Sequence, residues 1–364
     1  MTWRPAWAWI LDERRSKSFR GRDYQQVVGR ELADDRTLTL RLLGDHTLGQ
    51  WAGLRTAATL ADVRHDEVLD PGGAARCRQR LWSLGSEIAA PLPGGGRVSG
   101  GLALDAADTP ESGDKPPLGR LAAWGGRLGA NVPLGESVLL HAAASRRARF
   151  PSLRELYSGA LGRFVPNPEL RPERLLAGEA GMTARIGALE LQAVAFHQRL
   201  ADAIVRVSAG DSRFRRENRD QLRSTGLELL ASGGWRGASL SGEATLQHVR
   251  VLDPFAPENT RRAEYQPGFK GGVELSLPLV LAVRGTANLD YVGRQWCVHP
   301  EQEREVGLNA STRTDLALDR VWRSRGRMLR SVLALDNNTN TVMYDQCGLP
   351  QPGRTLRLQV EIGV

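Results

Sequence analysis

The stretch Thr355-Leu-Arg-Leu-Gln-Val-Glu-Ile-Gly-Val364 has a period of two that a soluble sheet could also use, and its repetition along most of the chain decides the fold. Leu356, Leu358, Val360, Ile362 and Val364 share one face, and Arg357, Gln359 and Glu361 share the other. Only an extended strand produces that alternation. The same pattern recurs upstream with almost no helical period. Leu189, Leu191, Ala193 and Ala195 alternate with Glu190, Gln192 and Val194. Leu240, Gly242, Ala244 and Leu246 alternate with Ser241, Glu243, Thr245 and Gln247, and the stretch 281–291 repeats the motif.

Short turns separate these segments at Leu92-Pro-Gly-Gly-Gly96, Asn131-Val-Pro-Leu-Gly135, Ile186-Gly187, Ser232-Gly-Gly-Trp235 and Leu277-Pro-Leu279. Between the turns lie longer polar connections at 66–77, 106–117, 148–174, 200–218, 250–265, 292–302 and 337–353. In an antiparallel meander this places every long loop at one end and every short turn at the other, as in an outer-membrane barrel. About fifteen strands are predicted, the first near 36–43, with a sixteenth within 3–11, where Trp3, Trp7 and Trp9 share a face. Residues 1–35 read as an atypical N-terminal segment with one partial strand, and 36–364 as the barrel region. The fold class is therefore all-β, an up-and-down transmembrane barrel. Alternation alone cannot say which face looks inward, but so many strands around a dry interior would enclose more space than side chains fill.

Composition excludes several alternatives. With 364 residues, 40 of them glycine and 19 proline, no apolar run approaches the roughly 18 residues a spanning helix needs. The net charge of +8 comes from arginines scattered over loops and alternate strand positions, which does not make a nucleic-acid patch. The six histidines and three cysteines show no metal-ligand spacing, and no nucleophile elbow, P-loop or dinucleotide fingerprint occurs. No enzyme, metal or cofactor is implied. The start runs from a short apolar stretch into Asp12-Glu-Arg-Arg15 without a small-residue cleavage site, so it does not read as a secretory signal.

Three passages carry a resemblance. The first is Arg149-Phe-Pro-Ser-Leu-Arg-Glu-Leu-Tyr157 followed by Asn167-Pro-Glu-Leu-Arg-Pro-Glu173, and the second is Asn218 with Gly226-Leu-Glu228. The third is Asp336-Asn-Asn-Thr-Asn-Thr-Val-Met-Tyr344 with Gly348-Leu-Pro-Gln-Pro-Gly-Arg354. In this order and spacing they resemble the C-terminal barrel region of TonB-dependent receptors. Pro151, Leu153, Glu155, Tyr157, Asn167, Pro168, Pro172, Glu173, Asn218, Gly226, Gly348, Pro350, Pro352, Gly353 and Arg354 match as loop organisers.

The resemblance implies an outer-membrane location and energy-coupled uptake of a siderophore-type iron chelate or similar scarce nutrient. It also implies contact with outer-membrane lipid and lipopolysaccharide, assembly by the barrel-insertion machinery, and engagement of the TonB complex where a plug and coupling segment are present. A full receptor of the family has a signal peptide, a coupling motif, a plug and twenty-two strands. By resemblance this chain covers the last fifteen or sixteen, as a truncated receptor would, and ends in Val364 where the family usually has an aromatic. A non-transporting structural remnant and a plugless passive pore remain as alternatives.

Ligand contacts are expected from Arg154, Tyr157, Arg163, Arg294 and Trp296, with Arg206, Arg213, Arg215 and Arg216 nearby, because clustered guanidinium groups attract an anionic ferric chelate. The competing reading gives these arginines to solvent or to lipopolysaccharide phosphates. With the C-terminus periplasmic, Cys297 and Cys347 fall in neighbouring outer loops and are expected to form a disulfide, leaving Cys77 free.

Overall fold

The computed structural model describes all residues except 1, 20–24, 161, 212, 253–261, 300–303, 325–326 and 364. Val364 therefore lies outside the described residues. The first seven strands are β1 (Thr2–Phe19), β2 (Val27–Leu48), β3 (Ala52–Asp70), β4 (Gly73–Pro91), β5 (Arg97–Ser112), β6 (Leu121–Leu134) and β7 (Val138–Arg149). After a loop carrying α1 (Leu153–Leu156) and β8 (Phe164–Val165) come β9 (Glu173–Ile186), β10 (Leu189–Gly210), β11 (Arg213–Trp235), β12 (Ala238–Leu252), β13 (Phe269–Pro278) and β14 (Val283–Val292). The hairpin β15 (Gln295–Val298) and β16 (Glu305–Leu308) precedes β17 (Ser311–Ser324) and β18 (Arg327–Asp336). A second hairpin, β19 (Tyr344–Gln346) and β20 (Leu349–Pro350), precedes β21 (Thr355–Gly363).

One 17-stranded sheet holds all the long strands, and removing the two-residue β8 leaves a meander of 16. Each long strand pairs antiparallel with the next, β7 with β9, β14 with β17 and β18 with β21 across the loop elements. Among the described residues, β1 and β21 each keep one edge without a partner strand, so the sheet is not closed. The tight hairpins use the turn chemistry that matches strand twist: Gly187 has φ 61°, and Arg236 and Gly237 have φ 51° and 85°.

Cross-strand register shows which residues share a face. On one face Trp7 stands opposite Leu40, Leu40 opposite Leu60, and Leu60 opposite Trp82. Farther along that face Leu227 meets Leu246, which meets Phe269, and Leu333 meets Leu358. Trp3, Trp7, Trp9, Leu38, Leu102, Leu128, Leu240, Leu356 and Ile362 of this face are all exposed. A continuous exposed band of this extent is foreign to a water-soluble monomer. The other face carries Arg41, Arg55, Glu87, Asp105, Glu190, Glu243, Asp290, Arg357 and Glu361.

Curvature decides which face is inside. The loop after β7 contacts both β2 and β11, through Arg154 to Glu31 and through Asn167 to Arg216. Those strands are separated by β3, β4, β5, β6, β7, β9 and β10, and at roughly 4.8 Å per step a flat sheet would hold them on the order of 40 Å apart. The sheet is therefore curled, with the polar face concave and the leucine face convex. Trp51 and Trp235 sit at the short-turn end of the convex face, and Trp124 and the Phe269–Tyr291 pair sit towards the loop end, as aromatic girdles do.

Several boundaries differ from the sequence reading. The segment expected as a short strand within 3–11 is an 18-residue strand, and the one expected near 36–43 runs from Val27 to Leu48. The expected division at residue 35 thus falls inside β2. Two connections expected as long loops are paired strands instead: β3–β4 pairing continues to Leu69 opposite Gly73, and β10–β11 pairing to Gly210 opposite Arg213. Both faces of these extensions mix apolar and charged residues, as Leu200, Asp202, Ile204 and Arg206 do on one face of β10, so they lack the hydrophobic contrast that marks a strand in sequence.

Candidate functional site

The concave face opens at the long-loop end, and the loop between β7 and β9 folds over it. Ser152 caps α1: its Oγ accepts from Glu155 N at 3.3 Å, while Glu155 Oε2 accepts from Ser152 N at 2.8 Å. This reciprocal pair satisfies two helix-end donors. Pro151 is buried, and its carbonyl accepts from Gln79 Nε2 of β4 at 2.9 Å. Leu153, Leu156, Tyr157 and Leu170 pack with Cys77 in a small core, against Val63, Leu118 and Ile204.

The motif residues are the fasteners of this cap. Arg149 donates to both oxygens of Glu155, at 2.8 and 3.0 Å, and pairs with Glu173. Glu173 Oε1 accepts from Ile204 N at 2.7 Å. Asn167 Nδ2 donates to Arg216 O at 2.8 Å, and its Oδ1 accepts from Glu169 N ahead of Pro172. Asn218 Oδ1 accepts from Arg171 N at 2.8 Å, while its Nδ2 donates to Arg171 O and Asp202 O. Pro168 and Pro172 have no N–H to leave unpaired in this crowded strap. Gly226 has no space for a side chain, since a Cβ there would lie 2.5 Å from the Phe196 ring.

Burial of Glu155 would favour its neutral form, but the hydrogen bonds from Arg149 and from Ser152 N outweigh it and hold the carboxyl below its ordinary value. Burial pushes the Tyr157 hydroxyl above its ordinary value. Across the sheet below, His65 Nδ1 lies 2.6 Å from Asp35 Oδ1, and Glu67 accepts from Ser158 Oγ at 2.5 Å and Gly159 N at 3.0 Å.

A second knot lies in the loop before β21. Asn337 Nδ2 donates to Thr341 O and Pro352 O, and its N–H to Asp315 Oδ1. Arg354 donates to Asn338 O at 2.7 and 3.1 Å, and its N–H to Asn340 Oδ1 at 3.0 Å. A Cβ at Gly353 would meet that same Asn340 Oδ1 at 2.7 Å. Gly348 makes the β19–β20 turn with φ 83°, and Pro350 stands opposite Tyr344.

The expected ligand residues separate into distinct groups. Tyr157 is only 2% exposed, and its hydroxyl accepts from Leu118 N at 2.9 Å, so it packs the cap and presents no surface to a ligand. Arg154 is engaged by Glu31 at 3.2 Å. Arg163 is exposed over the Phe214 ring. Trp296 is flanked by the guanidinium groups of Arg262 and Arg294, 4.1 and 4.4 Å from its ring centre. Beside it, Cys297 and Cys347 have Cα atoms 6.0 Å apart and are joined as a disulfide, and Cys77 is free and buried. Tyr265 ties the same point together, its N–H donating to Trp296 O and its hydroxyl accepting from Cys347 N.

Sequence reasoning expected contacts from the lumenal face but did not name the wall residues that line it. A cavity of about 630 Å³ is lined by Arg4, Arg41, Arg55, Glu87, Asp105 and Arg127. Another, of about 440 Å³, is lined by Glu190, Glu243, Glu274 and Asp290. Strand parity combined with charge would have found both. Among the described residues, no group of three or more His, Cys, Asp or Glu side chains is placed to hold a metal ion.

A curled antiparallel sheet with an apolar outer face, a polar inner face and a fastened loop over its mouth defines an outer-membrane β-barrel of the receptor class. The family model described as "TonB dependent receptor-like, beta-barrel" matches residues 14–356, and the chain belongs to that family, whose members are outer-membrane transport receptors and not enzymes. No curated protein matches it. Among solved structures, the copper transporter OprC is similar with TM-score 0.78 and 15% identity over 98% of this chain and 62% of its own. The FrpB iron transporter of Neisseria meningitidis (F5-1 variant) is similar with TM-score 0.78 and 16% identity over 98% and 60%. BauA, the ferric preacinetobactin receptor of Acinetobacter baumannii, has TM-score 0.71 and 13% identity over 92% and 55%. The chain thus spans little more than half the length of these relatives.

Proposed function

We propose that this chain forms the barrel wall and ligand-receiving mouth of an outer-membrane receptor for a siderophore-type iron chelate or similar scarce nutrient. The observation that carries this reading is the arginine-rich mouth over a polar concave face. Arg163, Arg206 and Arg216 stack on the Phe164–Phe214 pair, and Arg294 stacks separately on Trp296, each at the loop end where a solute would first meet the barrel. A field of fixed cations there raises the local concentration of an anionic chelate. Relatives described as an iron transporter and a ferric preacinetobactin receptor support iron, while one described as a copper transporter keeps the metal open. In this reading lipopolysaccharide surrounds the outer rim, and energy coupling through the TonB complex acts on the whole receptor.

Tryptophan quenching of the purified chain in detergent, titrated with ferric citrate and with a ferric tris-catecholate, tests this directly. Saturable quenching by one ferric chelate, absent with its iron-free ligand, supports the receptor. Steady single-channel steps in a planar bilayer without chelate binding would replace it with a passive pore.

A further inference from the structure

Cross-strand register sets three arginines side by side on the outward face of the wall. Arg199 of β10 stands directly opposite Arg223 of β11, and Arg223 directly opposite Arg250 of β12. Below them comes a row of His197, Thr225 and His248, and below that the row of Ala195, Leu227, Leu246 and Phe269 in the convex apolar band. Strand alternation therefore points all three guanidinium groups away from the concave side. Toward β7 the same row continues through Leu176 to Arg146, whose guanidinium lies 4.0 Å from the centre of the Trp124 ring.

Like charges directly opposite one another destabilise a sheet unless something neutralises them. The neighbouring rows do not: toward the loops stand Ala201, Gln221 and Leu252, and toward the short turns His197, Thr225 and His248. Arg223 donates to Gln221 Oε1, and Arg250 Nε donates to His248 Nε2 at 2.6 Å, contacts that orient the side chains without cancelling their charge. Among the described residues, none of Arg199, Arg223 and Arg250 has a carboxylate partner, and all three are exposed. Other exposed strand arginines do have one: Arg36, Arg64, Arg185 and Arg330 each pair with a carboxylate. The unpaired row lies just past the Phe269–Tyr291 pair, where the apolar band ends and lipid headgroups begin.

We propose that Arg199, Arg223 and Arg250 form a site on the outer wall for the phosphate groups of lipid A in the outer leaflet. The guanidinium fork matches a pair of phosphate oxygens, and three forks stepped roughly 4.8 Å apart offer more donors than one phosphate can fill. The acyl chains of the same molecule would lie along the band of Ala195, Leu227, Leu246 and Phe269 below. A free anion gains only the first of these contacts, which favours the lipid. The site is on the convex face and not at the mouth, so it goes beyond the receptor reading and does not depend on it.

Calorimetric titration of the folded full chain in zwitterionic detergent tests the site, with lipid A, lipid A stripped of its phosphates, and inorganic pyrophosphate as probes. Saturable binding of lipid A is expected, weakening as salt rises and falling at least tenfold in R199Q/R223Q/R250Q. R236Q, at the short-turn end, should bind as the parent does, and heat-modifiable gel migration verifies that each variant is folded. If the triple variant does not fold, R223Q alone, the middle of the row, should weaken binding at least threefold. No binding of lipid A, or equal binding by the folded arginine variants, overturns the proposal. Equal binding of the phosphate-free lipid overturns it in favour of a purely apolar contact, and pyrophosphate binding as tight as lipid A overturns it in favour of a free anion.

Discussion

Arg154 Nη2 lies 3.2 Å from Glu31 Oε1, joining residues 123 positions apart in sequence. The carbonyl of Arg154 accepts from Arg216 Nη1 at 3.2 Å, so one residue of the cap touches β2 and β11 together. That single contact shows both the curl of the sheet and the placement of the cap inside it. Glu31 is 5% exposed and the Arg154 side chain 30%, so the pair is neither a surface ornament nor a fully dry ion pair.

Arg154→Ala is expected to destabilise the closed cap by about 1–2 kcal/mol, below the range for deleting half of a buried pair because Arg154 is partly solvated. Limited proteolysis checks this, with faster cleavage expected within 150–172 and unchanged migration of the remaining barrel.

Asn218→Ala should cost about 2 kcal/mol, because Arg171 N, Arg171 O and Asp202 O all lose their side-chain partner in a half-buried strap. Hydrogen exchange at Arg171 reads it, and unchanged protection there would refute the role given to Asn218.

The cap should open in acid. Glu155 titrates below its ordinary value of 4.5, so its contribution is complete above that pH and is lost as pH falls through the lowered value. The parent should show an acid step in α1 amide protection below about pH 4.5, and Glu155→Gln should remove that step while starting from a looser cap.

Gly226→Ala forces a methyl group against both the Leu246 carbonyl of β12 and the Phe196 ring. The expected loss is about 1–3 kcal/mol, typical of overpacking, read as a lower midpoint in thermal or urea unfolding. Adding Phe196→Leu should recover part of it.

Of the chain's three cysteines, only Cys77 should react with a thiol reagent in denaturant without reductant, and all three after reduction. Three reactive thiols before reduction would contradict the Cys297–Cys347 link.

Much of the fold was legible because lipid-facing strands must alternate, and Leu356 to Ile362 does so without interruption. The alternation of Arg64, His65, Asp66 and Glu67 carries no such contrast, so the extended β3–β4 hairpin looked like a loop beside its Asp70-Pro71-Gly72 turn. A period of two is the same either way, so the inward face was read from the number of strands, which called for a polar lumen, and curvature agrees. At the site, arginines were visible but their partners were not. Arg154 and Arg206 look alike in sequence, and only the fold brings Glu31 to the first and leaves the second facing Phe214. Tyr157 was expected at the ligand among the outer-loop residues, yet its ring fills the core under α1.

The inverted arrangement, leucine face outward and charged face inward, is tested most directly by single cysteines at 356, 357, 358, 359, 360 and 361 of β21. In a C77S background reconstituted in lipid, a water-soluble maleimide should modify 357, 359 and 361, while probes at 356, 358 and 360 should be quenched by brominated acyl chains. The reverse alternation, or equal labelling of both sets, would show that β21 is not a membrane-facing wall.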